Sequence, residues 1–271
     1  MTTPRPPQTP IPAGFRIALD ATTRQLDVRT WIGGSPARML RLTTAGLRAW
    51  RELREGPVVS RAAGVLARKF TDAGLAHPIP PMQSGLDATA AEFTAADVTV
   101  AIPVRDRPDL LDRCLAAVGG RHPVVIVDDG SRDPAAVAAV ADRHGAKLLR
   151  RDRNGGPGPA RNTALDRVDS EIIAFLDSDC EPNENWIEKL VPHLVDPQVA
   201  AVAPRVVGMA APTWSGRYTM ANGSLDLGDR PASVAPGARV AYVPTAALLV
   251  RRSALLDIAG SGPVFDPALR F

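Results

Sequence analysis

Between residues 98 and 203 short apolar runs alternate with amphipathic stretches, and this alternation limits the possible architectures more than any other feature of the chain. The runs cover 98–103, 124–128, 146–150, 172–177 and 199–203, and the spacing predicts helices over 108–118, 134–144, 158–168 and 184–194. Repetition of this kind predicts an α/β domain with a mostly parallel sheet flanked by helices. Ligands on such a sheet sit beyond the carboxyl ends of its strands.

The chain before residue 97 reads differently. Residues 1–13, with five prolines, have the composition of a disordered arm. The segments 15–19, 24–31 and 37–42 alternate apolar with polar residues, with a Gly33-Gly34-Ser35-Pro36 turn before the last, and predict a small antiparallel sheet. Thr43 or Thr44 can cap a helix running to Glu55, and Ser60 can cap a second that ends at Gly74. Residues 76–96 have linker composition. The expected organisation is therefore an arm over 1–13, a small α+β module over 14–80, a linker over 81–96 and a large domain from 97 to 271.

The strand and helix order of the small module resembles winged-helix modules that bind precursor peptides, which implies a peptide partner for residues 14–80. Winged helices also bind DNA, and Arg61, Arg68 and Lys69 on the second helix are the residues that would then meet phosphate. That helix offers few base-reading Asn or Gln residues, so nucleic acid is not the expected partner. Residues 1–90 carry 12 Lys+Arg against 6 Asp+Glu, and residues 91–271 carry 20 against 23, so the basic excess belongs to the module. Scattered surface arginines account for such an excess as readily as an acidic partner does.

Two cysteines, Cys114 and Cys180, supply neither a disulfide framework nor a metal cluster, which favours a reducing, cytoplasmic setting. No window holds the roughly 18 uninterrupted apolar residues of a membrane span, and the first residues lack the apolar core of a signal peptide. Membrane attachment through a further C-terminal extension stays open.

Every polar cluster of the large domain falls at the end of an apolar run. Pro103-Val104-Arg105-Asp106 closes the first run, Asp128-Asp129-Gly130-Ser131 the second, Asn154-Gly155-Gly156 follows the third, and Asp177-Ser178-Asp179 closes the fourth. Alternate residues of an extended segment point the same way, so Asp177 and Asp179 can converge on a hard divalent cation carrying a diphosphate. Asp and Ser also end strands and cap helices without any ligand. The carboxylate of Asp128 can accept from a base N–H or a ribose hydroxyl, and the plain alternative is a turn after a buried strand. The glycine-rich loop before Arg161 runs into a helix N-terminus, where anions are favoured and Arg161 can pair with phosphate. It is not a dinucleotide fingerprint, because Arg161 replaces the third glycine and the loop follows the third strand.

In this order and spacing, Val100-Ala-Ile-Pro-Val-Arg105, Val125-Ile-Val-Asp-Asp-Gly-Ser131, Asn154-Gly-Gly through Ala160-Arg-Asn162, and Phe175-Leu-Asp-Ser-Asp179 resemble family 2 glycosyltransferases of the GT-A fold. The resemblance covers about residues 97–271. It implies an inverting transferase that uses a nucleotide-sugar donor and a divalent cation, Mg2+ or Mn2+. It further implies that Asp128 holds the uracil or ribose, Arg161 the diphosphate side, Asp177 the ribose or metal, and Asp179 the metal. Pro103, Val104, Arg105, Gly156 and Ser178 would line the same site. A narrower likeness within the family, carried by 217–228 and 242–252, implies transfer of glucose from UDP-glucose through β-linkages to a peptide-derived small-molecule acceptor.

In the family a segment like Val264-Phe-Asp-Pro-Ala-Leu-Arg-Phe271 precedes an acidic pair that deprotonates the acceptor hydroxyl, so the catalytic base is expected beyond Phe271. A large domain truncated at its C-terminus follows from that expectation, with Asp257 and Asp266 as structural residues. Two other readings compete. One is a peptide-binding scaffold with a passive transferase half. The other is a nucleotidyltransferase, which would favour a glycine-rich basic loop after the first strand, and residues 103–108 lack that loop.

Overall fold

The computed structural model describes residues 9–81, 94–209, 213–214, 216–218 and 223–269. The chain divides into two compact units: residues 1–90, 195–198 and 207–243 form one, and 91–194, 199–206 and 244–271 the other. The expected large domain over 97–271 is therefore not one unbroken stretch, since two of its segments belong to the first unit.

The first unit opens with β1 (Arg16–Leu19), β2 (Arg24–Gln25), β3 (Thr30–Gly33) and β4 (Arg38–Arg41). These are followed by α1 (Thr44–Glu55), α2 (Arg61–Asp72) and β5 (Ala76–Ile79). Both helix starts fall where the hydroxyl residues predict them: Thr43 Oγ1 accepts from Gly46 N and Ser60 Oγ from Ala63 N, each satisfying an orphan amide of the first turn. The single strand expected over 24–31 is a hairpin instead. Asp27 Oδ1 accepts from Arg29 N at 2.6 Å and folds the chain between β2 and β3, a local bond that outweighs the alternation. The antiparallel β2, β3 and β4 make one sheet, and β1 pairs with β5 in another, so residues 76–79 are strand rather than linker.

The first unit's core gathers around Trp31, Trp50 and Phe70. Trp50 stacks on Phe70 at 4.9 Å, and Trp31 meets Trp50 edge-on at 5.0 Å. The arm expected over 1–13 is only partly outside the described residues, which begin at Thr9. Ile11 is buried and its amide donates to Gly64 O at 3.0 Å. Gly64 sits inside α2 because a Cβ there would come within 2.6 Å of Ile11 O, so the passing backbone requires a glycine. Of the expected linker over 81–96, residues 82–93 lie outside the described residues.

Arg68 does not face solvent on α2. Its Nη2 reaches both carboxylate oxygens of Asp196 at 2.6 Å and its Nε donates to Thr9 O, with both side chains buried. It is thus unavailable to a phosphate.

At the end of β1, Asp20 accepts from the Thr22 amide and hydroxyl and meets His77 Nε2 at 2.8 Å. Burial works against its ionisation, but the Thr22 and His77 hydrogen bonds outweigh burial and lower the carboxyl to about 2. A carboxyl lowered on folding stabilises above its unfolded value and loses that contribution as pH falls through the folded one. Unfolding midpoints are therefore expected to drop between about pH 4 and about pH 2, and to drop less in Asp20→Asn.

The second unit contains β6 (Val98–Val104), α3 (Pro108–Val118), β7 (Val124–Asp128), α4 (Pro134–Arg143), β8 (Lys147–Arg150), α5 (Pro157–Arg167) and β9 (Ile172–Leu176). It continues with α6 (Trp186–Leu190), β10 (Ala201–Val202), β11 (Ala247–Arg251) and α7 (Arg252–Ala259). The helix expected over 184–194 divides into α6 and a 3-10 turn over Val191–Val195, where Pro192 brings no amide to the helix ladder.

The sheet order is β10-β11-β9-β6-β7-β8. β9, β6, β7 and β8 run parallel, while β11 pairs antiparallel with both β9 and β10. The fold class is thus α/β with a mostly parallel sheet flanked by helices. Val98, Val100, Ile102 and Val104 join α3, α4 and α6 in one core cluster, and α5 packs against β6 and β7. Because helices cover both faces, the strands read as near-continuous apolar runs. The chain winds from β6 through β7 to β8, then returns to place β9 on the other side of β6. That reversal opens the crevice between β6 and β9 at the strands' carboxyl ends.

Candidate active site

The expected site residues stand at the ends of β6, β7 and β9 and at the start of α5; hydrogen bonds join the first two ends and the glycine-rich loop, and a separate one joins Arg161 to Asp177. Asp106, at the end of β6, adopts a left-handed backbone with φ 55°. Its amide donates to Ser131 Oγ at 2.9 Å and its carboxylate accepts from Arg132 N at 2.6 Å, which ties the ends of β6 and β7. Pro103 is half-buried and Arg105 is exposed. Val104 turns its side chain into the core and its carbonyl accepts from Asp129 N.

Asp128 is fully buried. One oxygen accepts from Ser131 N at 2.9 Å and the other from Arg150 Nη1 at 2.5 Å, so the half-exposed group at this position is the Arg150 guanidinium. The neighbouring Asp129 accepts from Arg151 and from the amides of Gly155 and Gly156. The anion that the glycine-rich loop meets is therefore the chain's own carboxylate.

Gly130 holds φ +72°, and a Cβ there would come within 2.9 Å of Asn154 N and 3.1 Å of Arg153 C. Gly130→Ala is expected to displace the 153–156 loop and to cost about 1–3 kcal/mol in urea unfolding. A parental midpoint would show that this turn is not strained.

Arg161 lies in the first turns of α5 with its side chain 7% exposed, and its Nη2 donates to Asp177 Oδ1 at 2.5 Å. Among the described residues its buried Nε has no hydrogen-bond partner. Burial pushes the Asp177 carboxyl above its ordinary value, Arg161 pulls it back, and the charge of Asp179 adds to the rise. Asp179 therefore stands close to Asp177 on the same rim as Arg161, with its own side chain exposed and Ser178 half-buried between them.

An exposed carboxylate beside a half-buried one is a hard-oxygen donor set that suits a divalent cation when a ligand supplies the remaining oxygens. Among the described residues, no group of three or more His, Cys, Asp or Glu gathers to hold a metal by itself. Burial pushes the thiols of Cys114 and Cys180 up to about 12, so neither is a thiolate near neutral pH. Asp257 is exposed on α7, and Asp266 accepts from Ala268 N in a local turn.

The sequence reading did not single out Arg150, Arg151 or the Asn162–Phe265 contact. Arg150 stands opposite Asp128 only in the β7–β8 register, which no local sequence pattern reveals. Phe265 lies 103 positions from Asn162, beyond the reach of any local pattern.

Residues 99–257 match the model of glycosyl transferase family 2, and the chain belongs to that family. It is 40% identical over 257 residues to the Pre-mycofactocin glycosyltransferase of two Mycobacterium tuberculosis strains, a match covering 93% of this chain and 52% of the relative. It is 33% identical over 101 residues to the glycosyltransferase AglE of Haloferax volcanii, covering 34% of this chain and 33% of that protein. Among solved structures, the Pyrobaculum calidifontis mannosyltransferase PcManGT in complex with GDP-Man and Mn2+ aligns at 23% identity and a TM-score of 0.47. That alignment covers 68% of this chain and 51% of that one. The chain thus spans about half the length of the mycobacterial relative.

Proposed function

We propose that the second unit binds a nucleotide-sugar donor at the carboxyl rim between β6 and β9 and transfers the sugar, with inversion, to a hydroxyl acceptor. The observation that carries this reading is the Arg161–Asp177 contact beside Asp179. It sets one cation and two carboxylates on a single rim, in a chain that belongs to family 2. Asp177 and Asp179 would hold the divalent cation, which neutralises charge developing on the departing nucleoside diphosphate. Arg161 would meet the diphosphate, and Arg105 and Ser178 would flank it. Asp128 would accept from the base or ribose when Arg150 turns aside. As the acceptor oxygen bonds to the anomeric carbon, the bond from that carbon to the diphosphate oxygen breaks and the hydroxyl proton passes to a base.

The relative's name supports a finer reading, in which a hexose, glucose from UDP-glucose, moves to a peptide-derived mycofactocin precursor. The first unit would then hold the precursor peptide. Its strand β4 stands at the edge of the three-stranded sheet, and an extended peptide can pair along such an edge.

Calorimetric titration of the chain with UDP, with Mn2+ or with EDTA, tests the donor site. Binding is expected with Mn2+, to be lost in EDTA and in Asp179→Ala. Metal-dependent UDP binding that survives Asp179→Ala would overturn the assigned metal site.

A further inference from the structure

Arg161 is held on fewer sides than its burial leads one to expect. Among the described residues, its contact with Asp177 is the one hydrogen bond that anchors the guanidinium at the rim, and its buried Nε has no partner. What lies against it is the ring of Phe265, whose centroid is 5.7 Å from Cζ. That ring packs edge-on against Phe175 at 5.4 Å and 88°, and Phe175 lies two residues before Asp177 on β9. The backbone of residue 265 is fixed from the other side. Asn162 Nδ2 donates to Phe265 O at 2.8 Å and Phe265 N donates to Asn162 Oδ1 at 2.9 Å. One side-chain amide thus satisfies both polar groups of a residue 103 positions away, beside the arginine itself.

The close fit extends to Gly158, where an added Cβ would sit 3.4 Å from Phe265 Cβ. A segment held this tightly against the first turns of α5 is a support for what those turns carry. An arginine with an unpaired Nε has few bonds to resist rotation about its long stem, so the neighbouring ring face decides its orientation.

We infer that Asn162 and Phe265 are positioning residues for Arg161: Asn162 clasps the 265 backbone onto α5, and the Phe265 ring aims the guanidinium at the rim where the donor's diphosphate is met. This rests on the donor-site reading above. Neither residue is required to touch the ligand.

The test compares UDP and UMP, which share the nucleoside and differ in the outer phosphate, by titrating the chain in Mn2+. Phe265→Leu and Asn162→Ala are each expected to weaken UDP about tenfold while UMP stays within about twofold. Phe265→Tyr, which keeps the ring, is expected to retain the parental UDP/UMP ratio. A merely structural role would weaken both ligands together and lower the melting temperature in step with the loss, and that result overturns the inference. A parental ratio in both Phe265→Leu and Asn162→Ala overturns it as well. If the unmodified chain binds no UDP in Mn2+, the donor-site reading falls first and takes this inference with it, an outcome readable before any variant is made.

Discussion

Asp196→Ala is expected to destabilise the first unit by about 3–5 kcal/mol, more than any other single substitution considered, because it strands a buried guanidinium. Arg68 donates to two oxygens of Asp196 at 2.6 Å and to the carbonyl of Thr9, and its side chain is only 6% exposed. Replacing both partners at once, Arg68→Met with Asp196→Leu, removes the stranded charge and is expected to recover most of the loss. Urea unfolding of the parent, the single variant and the double variant checks this. A double variant as unstable as the single one would mean that the ion pair contributes more than the avoidance of a buried lone charge.

Arg161→Gln is expected to lower UDP affinity in Mn2+ about a hundredfold. The substitution removes the cation nearest Asp177 and leaves a carboxylate that burial already pushes upward without its main opposing partner. Glutamine keeps a donor but lacks the length and charge to serve both Asp177 and a phosphate. Calorimetry against UDP gives the answer directly, with Arg105→Gln, exposed on the same rim, as a comparison expected to lose far less. Parental UDP affinity in Arg161→Gln would remove the residue from the donor site.

The parallel sheet was legible because its strands are buried on both faces. Apolar runs such as 98–104 and 172–176 admit few other readings, and hydroxyl or proline residues mark where the helices start. The carboxyl-end clusters were legible for a related reason, since acidic and glycine residues stand out sharply after such runs. What remained hidden was whom those groups face. Asp128 read as a carboxylate for a base or ribose, and no local pattern signalled that Arg150 pairs with it or that Arg151 and two loop amides meet the neighbouring Asp129; the register of β7 with β8 brings Arg150 opposite Asp128. β11 was not predicted either, because its pairing with β9 spans more than 70 residues, most of them without regular alternation. In the first unit, the burial of Ile11 and of Arg68 was not legible for one physical cause: a proline-rich arm and a basic helix both look solvent-exposed until distant chain packs over them.

The antiparallel insertion of β11 also bears on how the polypeptide leaves the ribosome. Residues 172–176 emerge long before 247–251, so throughout that interval β9 presents a bare row of amides and carbonyls next to apolar side chains. Shortened versions ending ahead of Ala247 would keep that seam permanently uncovered and should self-associate, whereas those retaining Arg251 close it with the molecule's own backbone.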